Sequence, residues 1–452
     1  MKCITGCKIG LVGLLVSMFS IAQAVDIVSG NTTVSLKGFI RVNMLSASFD
    51  KASKSSANDA DDLSAAHYFP AKVIKCNLPT IKECTPRTFV DLTSRQTRFA
   101  INTSTKLDDG TTVGSVIEFD FLNTNVTGSN SVVSNSFVPR MRLAYATIAD
   151  ANGTWTFGQD WTTFQTTDTY PETVEFLGTT DGVIFNRQPL IRYTTSGGFS
   201  IGLEKPATTL EAGKNKLVAN ASALSLTNPT FIGTSRIPDI TLKYVFKNAD
   251  MSVAVRGLIR ELGYEGTVVA SGKQISIYEI GYALGFSGKF NFDGGDVRFT
   301  VDTGNIGRYG SFGSAKDGVL YATSQNAVDV NSTSKDIKLD LTNSTLYSLA
   351  IKWNYDTQVR STIAFAGQTI DLDNSKKGNL PVGSLPTQIV SSTGWFFNVF
   401  YSPIKNFDIG FEFGQNLVSN LKYRTTDFAS DKLKPQVKGT VNRFELALKY
   451  SF

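Results

Sequence analysis

Histidine is almost missing: the chain has 452 residues and a single one, His67. Cysteine is scarce at four, proline stands at thirteen, and only 18% of residues are charged, against roughly 25% in a typical soluble domain. One histidine excludes a multi-histidine metal site, and the cysteine spacing is not of zinc type, so no metal, cofactor or catalytic group is expected. Past the N-terminal stretch no run reaches the roughly 18 apolar residues of a spanning helix. What is present is apolar and flexible: 41% hydrophobic residues, with 38 Gly and 31 Phe. Mean hydropathy is close to zero at −0.05.

Residues 1–24 read as a secretory signal. Lys2 and Lys8 form a basic start, Ile9–Ile21 is apolar, and Ala22-Gln23-Ala24 supplies a small-residue cleavage site. Its removal takes two lysines and no acid, lowering the net charge from +5 to +3, with 42 basic against 39 acidic residues. That mild excess implies no nucleic-acid partner. Cys76 and Cys84 remain, eight positions apart in a polar segment, and in an exported chain such a pair reads as a disulfide.

Alternation of apolar with polar residues recurs along 25–452 and predicts sixteen strands. They lie at 33–47, 94–106, 111–122, 137–149, 154–161, 185–195, 199–206 and 237–247, then 251–262, 273–287, 296–304, 343–355, 358–371, 393–403, 407–418 and 439–452. Tight Gly-, Asn- and Asp-bearing turns such as Asp108-Asp109-Gly110 and Ser196-Gly197-Gly198 alternate with long connections, among them 48–93, 162–184 and 305–342. An even count with short turns on one rim and long loops on the other is the pattern of an all-β transmembrane antiparallel barrel, with periplasmic turns and extracellular loops. Leu36, Ile40, Ile117, Tyr244, Trp353, Phe397 and Phe411 fall on the lipid face.

Opposite-parity positions carry Lys37, Arg41, Arg98, Arg140, Arg142, Arg192, Lys243, Arg256, Arg260, Arg298, Lys352, Arg360, Arg443 and Lys449. Against these fourteen bases stand seven acids, Glu118, Asp120, Asp160, Glu279, Asp302, Glu412 and Glu445. The expected lumen excess is thus seven positive charges, with Arg41, Arg98, Arg140, Arg142, Arg192, Arg256, Arg298 and Arg360 as candidate anion-binding groups. Glu118 and Asp120 are expected to pair across the ladder with Arg140 and Arg142. Segment 162–184 holds Asp168, Glu172, Glu175 and Asp181 and no base. Its Phe164, Tyr170, Phe176 and Leu177 call for burial, so it is expected to fold inward and constrict the lumen.

The stretches Ser94–Phe99, Ile117–Phe121, Arg140–Tyr145, Gly158–Phe164, Pro171–Thr173, Phe185–Tyr193 and Phe397–Pro403, with the aromatic ending at Phe452, resemble the DcaP-like trimeric porins of Gram-negative outer membranes. Block 94–206 carries most of the likeness. The resemblance implies a homotrimer in the outer membrane passing small organic anions such as dicarboxylates, with Arg98, Arg142, Arg187 and Arg192 at family arginine positions. It also implies contact with outer-membrane lipid and lipopolysaccharide, and with the barrel-assembly machinery through the last strand. Family members often carry a coiled coil before the first strand, whereas strand one is expected here at residue 33. The expected function is passive, anion-preferring diffusion. The alternatives are a structural or adhesive surface barrel and a non-selective general porin. A hydrolase would have to use His67, which has no placed partner.

Overall fold

The computed structural model describes residues 25–53, 84–122, 136–174, 182–212, 235–267, 274–310, 316–322, 337–371, 389–421 and 435–452. A short N-terminal strand, β1 (Val25–Ser29), turns through Gly30 into β2 (Thr32–Ser53). The chain continues as β3 (Cys84–Thr93), β4 (Arg98–Lys106), β5 (Thr112–Asp120), β6 (Arg140–Ala149), β7 (Gly153–Trp161), β8 (Arg187–Thr195), β9 (Phe199–Glu204) and β10 (Leu210–Ala212). Next come β11 (Asp239–Lys247), β12 (Met251–Thr267), β13 (Gln274–Phe292), β14 (Gly295–Gly304), β15 (Gly318–Ala322) and β16 (Ile337–Leu341). The last are β17 (Asn343–Asn354), β18 (Val359–Asp371), β19 (Ile389–Ile404), β20 (Phe407–Leu421) and β21 (Pro435–Ser451).

Each barrel strand pairs antiparallel with its neighbours, and β2 meets β21 along Phe39–Phe49, which closes the sheet on itself. β3 and β4 share one edge of β2 and act as a single broken strand, so the barrel has the sixteen strands expected. The break at 94–97 is bridged by Thr97, whose Oγ1 accepts from the backbone N–H of Arg41 at 3.2 Å. Hairpins on one rim are tight. Asp293-Gly294 and Lys405-Asn406 are two-residue loops, with Gly294 at φ 81° and Asn406 at φ 68°, the left-handed geometry such turns need.

Two expectations change. Segment 48–93 is shorter as a loop, because β2 runs on to Ser53 and β3 starts at Cys84. The alternation persists through Phe49, Val90 and Leu92, and Ser48 and Thr88 share a side-chain hydrogen bond of 2.9 Å. The connections 207–236 and 305–342 also contain structure: β10, β15 and β16 form a separate three-stranded sheet. Leu210 and Leu339 of that sheet pack on Leu262 and Tyr264, where β12 extends beyond the barrel body.

Outward side chains are apolar and exposed, as at Ile40, Ile117, Leu284, Phe365 and Phe411. Such a continuous band is costly in water and suited to lipid. Polar and charged groups concentrate on the inner face, where Asn43, Asp120, Arg142, Arg256, Arg260, Asp302 and Asn398 are buried.

Candidate functional site

The segment after β7 lies along the inner wall. The N–H of Thr163 donates to Glu204 of β9 at 2.7 Å, and Lys243 of β11 donates to the Gln165 carbonyl at 3.2 Å. Arg256 of β12 reaches the Phe164 carbonyl at 3.4 Å, while Ser252 donates to Asp168 at 2.8 Å. Arg298 of β14 donates to the Tyr170 carbonyl at 2.7 Å. Asn398 of β19 donates to the Glu172 carbonyl at 2.9 Å, Glu412 of β20 accepts from Val174 N at 2.8 Å, and Arg41 of β2 donates to the Val174 carbonyl. Residues 163–174 thus pass from β9 round to β2 inside the barrel, and each of these ties is to a strand remote in sequence. Phe164 is fully buried in an inner cluster with Ile184, Leu258, Ala283, Ile306, Tyr309 and Leu346. Tyr170 donates its hydroxyl to the Ile184 carbonyl. Burial pushes that phenol far above its ordinary range, so it serves as a donor.

Two of the loop's predicted acids can be placed, and the wall takes up both. Asp168 accepts from Ser252, and Glu172 sits between Lys352 at 2.6 Å and Arg360 at 2.8 Å. Burial disfavours the Glu172 carboxylate, but the Lys352 and Arg360 charges outweigh it and hold its pKa below the usual value. A depressed pKa stabilises the loop docked on the wall at any pH above the unfolded carboxyl's range, about 4.3. That contribution fades as pH falls through the lower folded value. Single-channel recordings should therefore be quiet at pH 7 and should flicker only in acid below the ordinary glutamate range. Glu172→Gln should flicker already at pH 7, and equal noise in both proteins would show that this clamp does not hold the loop.

The stretch of wall formed by β4–β6 makes none of these ties to the loop and carries a denser cluster of charge. Arg140 pairs with Asp120 at 2.7 Å and Arg142 with Asp120 at 2.9 Å. Arg142 also meets Glu118 at 2.5 Å, and Arg98 lies 3.7 Å from Glu118. The expected pairing of these four residues on β5 and β6 is therefore seen. Its geometry depends on a β-bulge opposite Glu118 and Phe119 that turns both Arg142 and Leu143 inward. Arg187 is half-buried, its guanidinium 5.0 Å from the Trp161 ring and within electrostatic reach of Arg98, Arg140 and Arg142. Arg140 keeps 27% of its side chain accessible and Arg142 only 2%. Arg140 can offer hydrogen-bond donors to a solute, whereas Arg142 contributes charge.

The remaining candidate arginines are also tied to acids: Arg192 to Asp160 at 2.5 Å, Arg256 to Asp302 at 3.1 Å, Arg41 to Glu445 at 3.6 Å, Arg360 to Asp408 at 3.2 Å, and Arg298 to Asp296. The structure therefore brings more acids to the inner face than alternation suggested. Glu204, Asp239, Asp296 and Asp408 lie at the first two or the last positions of their strands. There, parity alone does not separate lumen from rim. A second network was likewise not anticipated. Arg260 pairs with Asp317 at 2.5 Å and Asp239 at 3.2 Å, Arg308 meets Asp239 at 2.8 Å, and Tyr309 donates to Asp239 at 2.9 Å. Arg308, Tyr309 and Asp317 come from the connection after β14, which offered no periodic signal. Glu279 is exposed on β13 rather than buried in the wall. Glu175, Asp181, Phe176, Leu177, Cys76, His67 and residues 1–24 lie outside the described residues, and Cys84 is described only in its backbone.

A model of the DcaP outer membrane protein family matches residues 25–422. No curated protein matches the chain. Among solved structures, the fold is similar to the crystal structure of the outer membrane channel DcaP of Acinetobacter baumannii. That likeness has 18% identity and a TM-score of 0.61 over 94% of this chain and 99% of that one. It is also similar to in-vitro folded OmpT, an outer membrane protein of Vibrio cholerae, at 11% identity and TM-score 0.51, covering 95% and 100% of the two chains. A third is Salmonella typhi OmpF in complex with daunomycin, at 11% identity and TM-score 0.50, covering 94% and 100%. With a closed sixteen-stranded barrel, an apolar outer band and a family match over most of its length, the chain belongs to the DcaP outer membrane protein family and resides in the outer membrane.

Proposed function

We propose that the barrel is a passive diffusion channel preferring small organic anions, dicarboxylates among them. The observation that carries this reading is the β4–β6 wall. Arg98, Arg140 and Arg142, with Arg187 in reach, gather about two carboxylates among the described residues, Glu118 and Asp120. Pairing leaves that patch positive. In a narrow water path with low-dielectric walls the field is focused, which raises the local concentration of anions. Guanidinium groups suit the planar carboxylate, and Arg140 keeps 27% of its side chain accessible to one. The loop at 162–174 narrows the lumen from the opposite side, as a constriction.

The same reading includes export by the signal at residues 1–24, a Cys76–Cys84 disulfide and assembly as a homotrimer. It also includes contact with lipid and lipopolysaccharide and delivery through the barrel-assembly machinery. It assigns no enzymatic role. Planar-bilayer recording under a salt gradient tests it. The expected reversal potential has the sign of anion preference. A reversal near zero means a general porin, cation preference defeats the proposal, and an absence of channels points to a structural or adhesive barrel.

A further inference from the structure

One rung of the inner wall is shaped unlike those around it. Phe400, Gly410 and Ala447 face one another across β19, β20 and β21, so a large side chain, none and a small one stand in line. The pit this leaves is filled by Val174 of the loop, which is fully buried against Phe400 and Ala447. A Cβ placed on Gly410 would stand 2.8 Å from a Val174 methyl and 2.8 Å from the Phe400 ring. Both backbone polar atoms of Val174 are held as well, its N–H by Glu412 at 2.8 Å and its carbonyl by Arg41. Phe400 in turn carries the Arg360 guanidinium 4.5 Å over its ring, and Arg360 grips Glu172 two residues before Val174.

We infer that Val174 seated over Gly410 is the positioning contact that fixes the constriction loop, and that this peg and pit set how freely solute passes. Neither residue meets solute; both act by holding residues 162–174 in place. The inference rests on the channel reading above, and the experiment separates the two. A buried valine contributes its methyl groups to packing, and a well-filled site tolerates a volume-conserving exchange better than either change alone. The full-length protein, folded in detergent and then in bilayers, is compared with V174A, G410A and the double variant.

Amide exchange over residues 163–174 should accelerate roughly tenfold in V174A, where the pit is underfilled, and in G410A, where the peg is expelled. In the double variant the methyl introduced at position 410 occupies space vacated by valine, and exchange should return to within about threefold of the parent. Single-channel conductance should change in each single variant and recover in the double. If G410A does not fold, V174A and the double variant still carry the comparison. Exchange that is unchanged in V174A, or faster in the double than in either single, overturns the latch. Exchange that behaves as expected with conductance unmoved overturns its effect on passage. A parent protein that forms no channel defeats the channel reading while the exchange result stands.

Discussion

Removing Arg98 and Arg140 together should abolish most of the proposed anion preference while leaving a folded barrel. Each carboxylate keeps a partner, because Arg142 still holds Glu118 at 2.5 Å and Asp120 at 2.9 Å. The patch passes from four guanidinium groups around two carboxylates to two around two, which is locally neutral. Without the excess, the wall loses the field proposed to concentrate anions. We expect the anion-to-cation permeability ratio of R98A/R140A to fall several-fold, on the order of the tenfold scale at which steering acts. Lys37→Ala is the control. Lys37 lies nearer the tight-turn rim of β2 and forms no ion pair among the described residues, so its loss should shift the ratio little. Equal shifts in the two variants would move selectivity away from the β4–β6 wall.

The largest loss of stability is expected on the other side of the lumen. Arg260 exposes none of its side chain, and neither do its partners Asp239 and Asp317. It also donates to the Ala207 carbonyl at 2.7 Å and the Ile306 carbonyl at 3.4 Å, so one guanidinium ties two connections to β12. Arg260→Ala leaves Asp239 with Arg308 but takes away the one cation paired with Asp317 among the described residues. Breaking a buried pair by removing one partner costs about 3–5 kcal/mol, mostly because the other charge stays buried. The urea midpoint of the folded protein in micelles should drop accordingly. Arg260→Lys, which restores the charge without the fork, should recover part of the loss. A midpoint within experimental scatter of the parent would show that the two acids find other partners.

How much of this was legible in the sequence depends on periodicity. The barrel strands show a period of two, with Phe411 and Phe413 outward and Glu412 between them, and the strand count follows from that pattern alone. Inward folding is expected of 162–184 because Phe164, Tyr170, Phe176 and Leu177 in a polar loop call for burial; Phe164 and Tyr170 lie against the inner wall, and 175–181 lie outside the described residues. The loop's route was not legible, since the ties from Glu204 round to Arg41 depend on strands far apart in the chain. Alternation also fails wherever the ladder slips. The bulge at Arg142 places two consecutive residues inward, which a strict period of two forbids. The pit at Gly410 had no signature at all: glycine in a strand reads as a weakness, and its purpose appears only with Phe400 and Ala447 beside it.

The path of the loop also fixes an order of construction. Val174 is held by groups on β2 and β20, 133 and 238 positions away in the chain. Its seat lies on β19, β20 and β21, the last strands of the barrel in chain order. Contacts of such long range form only after the intervening chain has been organised. The Val174 end of the strap therefore cannot be tied down until the final hairpin is in the sheet and β2 has met β21. A barrel stalled one hairpin short would be both open along its side and without the anchor at Val174, so seating that residue and sealing the wall are a single event.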